Sequence, residues 1–509
     1  MPPNIVLIMA DQLAPQFMAT YGGAAITPHM DALAARGTRF DRAYCNSPLC
    51  VPSRASFMTG QHVTDIAAWD NAAEFPASIP TFAHYLGALG YRTCLSGKMH
   101  FVGPDQKHGF TDRVTTDYYP SDFAWTPDWT RNDDRIDIWY HNMRTVTEAG
   151  SAVATDQADF DEEADFAARR WLMERARDKA AGQGQPFCLV LSLFHPHDPY
   201  IALQPFWDLY EDVDIPMPET EMPPDRLDPF SRRVADGVEA STDTLSPEDT
   251  RAARRAYLAN VSYFDSKVGA LMAQIEAMGE TENTVFIVTS DHGDMLGERG
   301  MWFKMSFLEH SARVPLIMAG PGVAQGARDT LCSLIDLLPT LTDIAGGDES
   351  LYAQPIAGRS LLPAARGEAQ EGEVIGQYCA ECAGAPVFMI RRDDDQGDLK
   401  YIHCDLDPPV FYDLAADPHE LTNLAEDPAY AEAARAFARE VRERWDSAAI
   451  SAQVIRSQQT RLKLNAMMDT TGDNAWDYSP PRDASNEYVR NHRDWVMSAA
   501  RARFPPFER

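Results

Sequence analysis

Several things are scarce in this chain of 509 residues, and each scarcity excludes something. No apolar run is long enough to cross a bilayer. No charged start, apolar stretch and small-residue cleavage site precede the first strand-like run at Asn4, so neither a membrane anchor nor a secretory signal is expected. Basic residues are short: 45 Lys and Arg face 76 Asp and Glu, and a formal charge of -31 is the wrong sign for nucleic acid or an anionic membrane as partner. Cysteine is sparse and scattered (45, 50, 94, 188, 332, 379, 382, 404), which fits a reducing compartment, and a cytoplasmic location is expected. The pair Cys379-Ala380-Glu381-Cys382 lacks a second pair to complete a zinc site, so two free thiols are expected. There is no internal repeat and no low-complexity segment. What remains has the composition of an ordinary globular protein, long enough for two or three parts.

The most informative stretch is Ser47-Pro48-Leu49-Cys50-Val51-Pro52-Ser53-Arg54-Ala55-Ser56-Phe57-Met58-Thr59-Gly60. Ser47 and Pro48 read as a turn, and Pro52 with the residues after it as the first turns of a helix, whose free N–H groups favour an anion. Cys50 is then a nucleophile candidate, and Arg54 a fixed cation with a planar donor fork suited to a tetrahedral oxyanion. The three residues between them are too few for the loop of a Cys-dependent phosphatase.

Taken in order, Asn4-Ile5-Val6-Leu7-Ile8-Met9 is a continuous apolar run, as expected of a strand covered on both faces in a parallel sheet, and Asp11 and Gln12 emerge at its carboxyl end. The same grammar recurs at 91–96, followed by Lys98 and His100, and at 187–193, followed by His195 and His197 between prolines on a rigid loop. It recurs again at 285–289, followed by Asp291-His292-Gly293-Asp294 and then Lys304. In open α/β sheets that edge binds ligands. Asp11, Gln12, Asp291 and His292, with Cys50 nearby, make a candidate divalent-metal site. The oxygens suit calcium or magnesium, and the imidazole makes manganese or zinc more acceptable. Residues 101–186 read as long aromatic-rich polar loops that include Trp125, Trp129, Trp139 and Tyr140. Ser246 caps a helix with Pro247 at its first position and an apolar face from Tyr257 to Met278. Beyond about residue 370, short strands at 374–378, 387–391, 400–404 and 410–412 predict a small antiparallel sheet, followed by a helix over 430–445. The expected organisation is α/β: a catalytic domain over 1–370 with a large, mostly parallel mixed sheet, an α+β subdomain over 371–460, and a tail over 461–509.

The Cys50–Gly60 run resembles the signature C-x-P-S-R, two apolar residues, Thr, Gly of the sulfatases, in which the Cys is oxidised to formylglycine. Val51 stands where that family commonly carries a small or hydroxyl-bearing residue. The strand-Asp-Gln start, Gly97-Lys98-Met99-His100, Pro196-His197-Asp198-Pro199, Asp291-His292-Gly293-Asp294 and Lys304 extend the likeness to the alkaline-phosphatase-like superfamily over nearly the whole chain. Trp69-Asp70-Asn71-Ala72-Ala73-Glu74-Phe75, Gly103-Pro104-Asp105-Gln106, Trp125-Thr126-Pro127-Asp128-Trp129, Trp139-Tyr140-His141-Asn142-Met143 and Glu487-Tyr488-Val489-Arg490-Asn491-His492 resemble the choline-sulfatase branch.

That resemblance implies hydrolysis of choline O-sulfate by formylglycine at position 50 bound to calcium, held by Asp11, Gln12, Asp291 and His292. Arg54, Lys98 and Lys304 would hold the sulfuryl oxygens, His197 would protonate the departing choline in a neutral pKa range, and His100 would deprotonate the second hydroxyl. Asn71, Trp125, His141, Glu381 and the tail residue Asp494 would surround the quaternary ammonium, which has no N–H and is recognised by aromatic faces and carboxylates. A formylglycine-generating or equivalent enzyme is the implied maturation partner, and a homo-oligomer formed through the tail the implied assembly. The alternatives are a phosphonate or phosphate monoester hydrolase on the same scaffold and, if Cys50 stays a thiol, a non-catalytic binder of sulfate esters or quaternary amines.

Overall fold

The computed structural model describes residues 2–131, 141–240 and 245–470. Its large sheet has eight strands: β1 (Asn4–Asp11), β2 (Thr38–Tyr44), β3 (Arg92–Gly97), β4 (Asp112–Arg113), β5 (Phe187–Pro196), β6 (Thr284–Ser290), β7 (Leu316–Ala319) and β8 (Gly326–Ser333). Their order is β8-β2-β7-β6-β1-β5-β3-β4. All neighbours pair parallel except β7, which runs antiparallel to both β2 and β6, so the sheet is mixed but mostly parallel as expected. The apolar runs become its centre, where every residue of β1, β5 and β6 is buried.

Helices flank the sheet. α1 (Cys50–Thr59) starts at the nucleophile candidate and ends on Gly60 in the left-handed region, φ 64°. α2 (Asp156–Ala180) lies within the stretch expected to be loops. Its buried face is five alanines (Ala158, Ala164, Ala167, Ala168, Ala176), Asp161 and Asp165, with only Trp171 and Leu172 as large apolar members, so the apolar period that marks most helices is faint. α3 (Pro247–Ala277) has the expected capping box of Ser246 and Asp249, and Tyr257, Val261, Phe264, Val268, Leu271 and Ile275 are all buried.

The second sheet is a four-stranded antiparallel meander of β9 (Glu373–Tyr378), β10 (Val387–Asp394), β11 (Gly397–Cys404) and β12 (Val410–Asp413). α4 (Ala431–Arg444) covers it through Phe437, whose ring lies 5.5 Å from Phe411, while the next residue, Trp445, stacks on Phe388 at 4.5 Å. Asn46 joins the two sheets, donating to Ile375 O and accepting from Gln377 N, both at 2.8 Å. α5 (Ser447–Asp469) runs across the boundary expected at 460, burying Ile450, Val454, Gln458 and Arg461. Trp139, Tyr140, the 487–492 motif and Asp494 lie outside the described residues.

Asp161 on α2 braces the end of β5. Its carboxylate accepts from Phe194 N (2.6 Å), His195 N (3.1 Å) and His195 Nδ1 (2.7 Å), which makes His195 a structural residue facing away from the sulfur of Cys50. Asp161→Ala strands these buried donors, at about 1–3 kcal/mol for each unmade bond. Thermal melting should show a clear loss of stability, with Asp161→Asn milder because its amide oxygen still accepts.

Candidate active site

The site forms at the carboxyl edge of the parallel strands, where β1 ends in Asp11 and β3, β5 and β6 lead into Lys98 and His100, His197, and Asp291 and His292. The strands pack closely enough here that Gly97 is required: its φ is 92°, and a Cβ would stand 1.9 Å from Ser192 O. That approach lets Lys98 N donate to Ser192 O at 2.9 Å and turns the Lys98 side chain inward.

Cys50 opens α1 above this edge. Its Sγ lies 3.4 Å from His292 Nε2, 3.9 Å from Asp11 Oδ1, 3.7 Å from Lys98 Nζ and 3.8 Å from Lys304 Nζ. The two lysines therefore flank the sulfur with positive charge, as a grip on sulfuryl oxygens requires. Arg54 plays a different part from the expected one. Its Nε donates to Asp291 Oδ2 (2.8 Å), Nη2 to Asp11 Oδ2 (3.0 Å), and Nη1 to Lys98 O (2.9 Å) and Ser192 Oγ (2.8 Å). With its fork committed to the protein, it holds the two carboxylates rather than reaching for a substrate.

Lys98 also binds Asp11 Oδ2. The outer carboxylate oxygens are thus occupied by cations, while Asp11 Oδ1 and Asp291 Oδ1 face His292 Nε2 at 3.8 and 3.7 Å. One ligand atom from each of Asp11, Cys50, Asp291 and His292 lies within 4.8 Å of the others. These separations exceed direct hydrogen bonds and leave a centre that every donor can reach. The Gln12 amide oxygen accepts from Lys304 Nζ at 2.7 Å, which leaves it a second lone pair. The Gln12 amide nitrogen donates to Asp294 (2.6 Å) and Asp198 (3.3 Å).

Charge sets the protonation states. Burial would raise Asp11, but Lys98, His197, Arg54 and His292 together hold it well below the usual carboxylate range. Burial and the Asp11 charge push the Cys50 thiol up to about 11, the reverse of what a thiolate nucleophile needs. Burial, with Lys98, brings His100 down to about 3, and burial brings His292 to about 4. Burial and Lys304 also hold His197 well below its ordinary value, so the expected neutral-range titration does not occur in this setting. Lys304 Nζ lies 2.6 Å from His197 Nε2, close enough to donate to the neutral ring.

Sequence reading passed over several supporting groups. Asp198 Oδ1 and Oδ2 lie 3.2 Å from His197 Nδ1 and 3.5 Å from His141 Nδ1, orienting both rings. Asp117 accepts from Met99 N and His100 N at 2.9 and 2.8 Å. Asp198 and Asp294 were visible in their motifs, whereas Ser192 and Asp117 carried no local signal. Gln12 (φ 65°), His100 (56°), Phe303 (66°) and Met305 (72°) are non-glycine residues in the left-handed region, and such backbone strain gathers at functional sites.

The expected cation-binding residues are each tied to chain close to the catalytic candidates or to one another's neighbours. Asn71 Oδ1 accepts from Val51 N at 3.0 Å, the Trp125 ring is 5.8 Å from His100 and 5.0 Å from Tyr119, and His141 is 5.6 Å from His197. Glu381 is buried in the turn after β9, whose Ala380 O accepts from Trp129 Nε1 at 2.9 Å.

A family model described as Sulfatase matches residues 3–347. The chain belongs to the sulfatase family. Two further models match this sulfatase: N-sulphoglucosamine sulphohydrolase, C-terminal, over 297–446, and Choline sulfatase enzyme C terminal, over 452–504. The chain is 45% identical to the choline-sulfatase of Rhizobium meliloti (strain 1021), covering 99% of this chain and 98% of that protein. It is 28% identical to the multifunctional alkaline phosphatase superfamily protein PehA of Trinickia caryophylli, over 86% and 93%. The fold is shared with the phosphonate monoester hydrolase of Agrobacterium radiobacter (TM-score 0.67, 24% identity, 89% of this chain and 96% of that one).

Sulfatase membership implies a divalent metal and a formylglycine made from the motif cysteine. The donor set fits: two carboxylates with inward oxygens, that of Asp11 held well below the usual range by its cationic neighbours, and an imidazole kept neutral by burial meet beside Cys50. Restoring a divalent ion to chelator-treated protein should raise the melting temperature. The gain is about 2.7 kcal/mol at a hundredfold excess over Kd. Asp291→Asn should abolish it.

Proposed function

We propose that this sulfatase hydrolyses choline O-sulfate to choline and sulfate, with formylglycine at position 50. Calcium is the proposed ion, held by Asp11, Asp291, His292, position 50 and the free lone pair of Gln12. The observation that carries the substrate assignment is likeness along the full chain to a choline-sulfatase, reinforced by the match of its C-terminal segment to the model specific to those enzymes. The side chains proposed for the ammonium are aromatic and acidic, which is the chemistry a quaternary ammonium requires.

When bound, the ion supplies Lewis acidity that favours an ionised hydroxyl and offsets sulfuryl charge. The hydrated aldehyde supplies two hydroxyls on one carbon, one to attack sulfur and one whose ionisation releases sulfate. Lys98 and Lys304 hold the sulfuryl oxygens while Arg54 keeps both carboxylates in place. As the bond from sulfur to the choline oxygen breaks, that oxygen would take a proton relayed from the Lys304 ammonium through His197 Nε2, which leaves the Lys304 amine neutral until solvent reprotonates it. His100, neutral and with neither ring nitrogen hydrogen-bonded among the described residues, would take the proton of the second hydroxyl, the ionisation through which formylglycine would release sulfate. Asn71, Trp125, His141 and Glu381 recognise the ammonium, with Asp494 closing the pocket from the tail. The protein works in the cytoplasm, is matured by a formylglycine-generating or equivalent enzyme, and assembles through its tail. No helix among the described residues is long and apolar enough to cross a membrane.

The peptide containing position 50 should weigh about 18 Da less than its cysteine form. An unshifted peptide in protein that still turns over would remove formylglycine from the mechanism. Kinetics on choline sulfate, an aryl sulfate and an aryl phosphonate should favour choline sulfate, and a preference for the phosphonate would overturn the assignment. Glu381→Ala should cost about 2–3 kcal/mol, roughly 30- to 160-fold in kcat/KM, on choline sulfate and much less on the aryl ester. Equal losses would dismiss its part in cation recognition.

A further inference from the structure

α5 buries a single stripe whose first members, Ile450 and Val454, are apolar and whose last, Gln458 and Arg461, are polar yet 0% and 5% exposed. Two polar side chains buried on an otherwise exposed helix need partners, and theirs are informative. Arg461 clasps Asp70 with both ends of its fork, Nη1 to Oδ1 and Nη2 to Oδ2, each at 2.7 Å, and Nη1 also donates to Thr126 Oγ1 at 3.0 Å. Gln458 Oε1 accepts from Trp129 N at 3.0 Å, and Gln459 Nε2 donates to Asp128 Oδ1 at 2.8 Å.

Each contact lies next to a residue assigned to cation recognition. Asp70 precedes Asn71, Thr126 follows Trp125, and Trp129 carries the tie onward through Nε1 to Ala380 O, which precedes Glu381. The segments holding Asn71, Trp125 and Glu381 are turns and irregular chain, with no ladder of their own to fix them. The sulfuryl end is fixed separately, by strand ends and the Arg54 fork. One guanidinium on α5 thus couples two walls of the cation pocket, and Trp129 couples the third.

We propose that Arg461 is a positioning residue for cation recognition: by holding Asp70 and Thr126 together, it sets the enzyme's discrimination between cationic and neutral sulfate esters without touching either. The inference rests on the choline sulfate reading and extends it. Its alternative is that the buried Arg461–Asp70 pair serves stability alone.

The test compares wild type, Arg461→Met and Arg461→Lys on three substrates. These are choline sulfate, the neutral isostere in which tert-butyl replaces trimethylammonium, and para-nitrophenyl sulfate, with a melting curve for each protein. Arg461→Met should raise KM for choline sulfate by about tenfold or more while kcat/KM on the aryl ester stays within about twofold, so that the preference for the cation over its isostere collapses. Arg461→Lys, which keeps the charge but loses the fork, should recover part of that preference and carries the test if the Met variant does not fold. Parallel losses on all three substrates, or an unchanged cation preference, would overturn the positioning role while leaving the choline reading intact. A wild type that does not distinguish choline sulfate from its isostere would instead overturn the choline reading, and the inference with it.

Discussion

The arrangement depends on one guanidinium between two carboxylates. β1 and β6 are parallel neighbours, so their carboxyl ends place Asp11 and Asp291 side by side, both fully buried. Two like charges in that position are untenable alone. Arg54 bonds both, Lys98 bonds Asp11, and removing one partner of such a buried group typically costs about 3–5 kcal/mol. Because Arg54 sits one helical turn after Cys50, satisfying the carboxylates also fixes where α1 begins and hence where the nucleophile stands. The same fork leaves the inner carboxylate oxygens without a Lys or Arg partner among the described residues, facing the imidazole of His292.

Most of this frame was legible in the sequence because it is local. The apolar runs that became β1, β5 and β6 need no partner to be recognised, and the residues that matter follow them within a few positions. The Cys-x-Pro-Ser-Arg run likewise carries its own helix start. The losses have equally physical causes. α2 packs mostly through alanines and two aspartates, with Trp171 and Leu172 its only large buried apolar side chains, too few to mark a core face in the sequence. β2 and β8 are short of apolar residues and lie at or next to a sheet edge, and only pairing with chain hundreds of residues away makes them strands. The role of Arg54 was misjudged because a sequence shows a donor fork but not its acceptors, and His197 was misjudged because only the fold brings Lys304 beside it.

The substrate-facing surface divides by charge. At one end, Lys98 and Lys304 concentrate positive charge beside Cys50 within a protein of strongly negative balance, and the proposed cation end offers the buried carboxylate of Glu381 with the rings of Trp125 and His141. A zwitterionic ester matches both ends at once, which a simple sulfate or a simple amine cannot. Left-handed backbone at Gln12, His100, Phe303 and Met305 shows that surrounding packing overrides local preference to aim these groups.

Cys50 is 1% exposed, enclosed by α1, the strand ends and the Lys98 and Lys304 side chains. A catalyst large enough to oxidise a cysteine has no route to that sulfur once the chain has closed. Any conversion of Cys50 therefore belongs to the interval between translation and folding, and the race is decided once per molecule. A copy that folds first keeps its thiol for life, and specific activity then records the timetable of synthesis as much as the chemistry of the site.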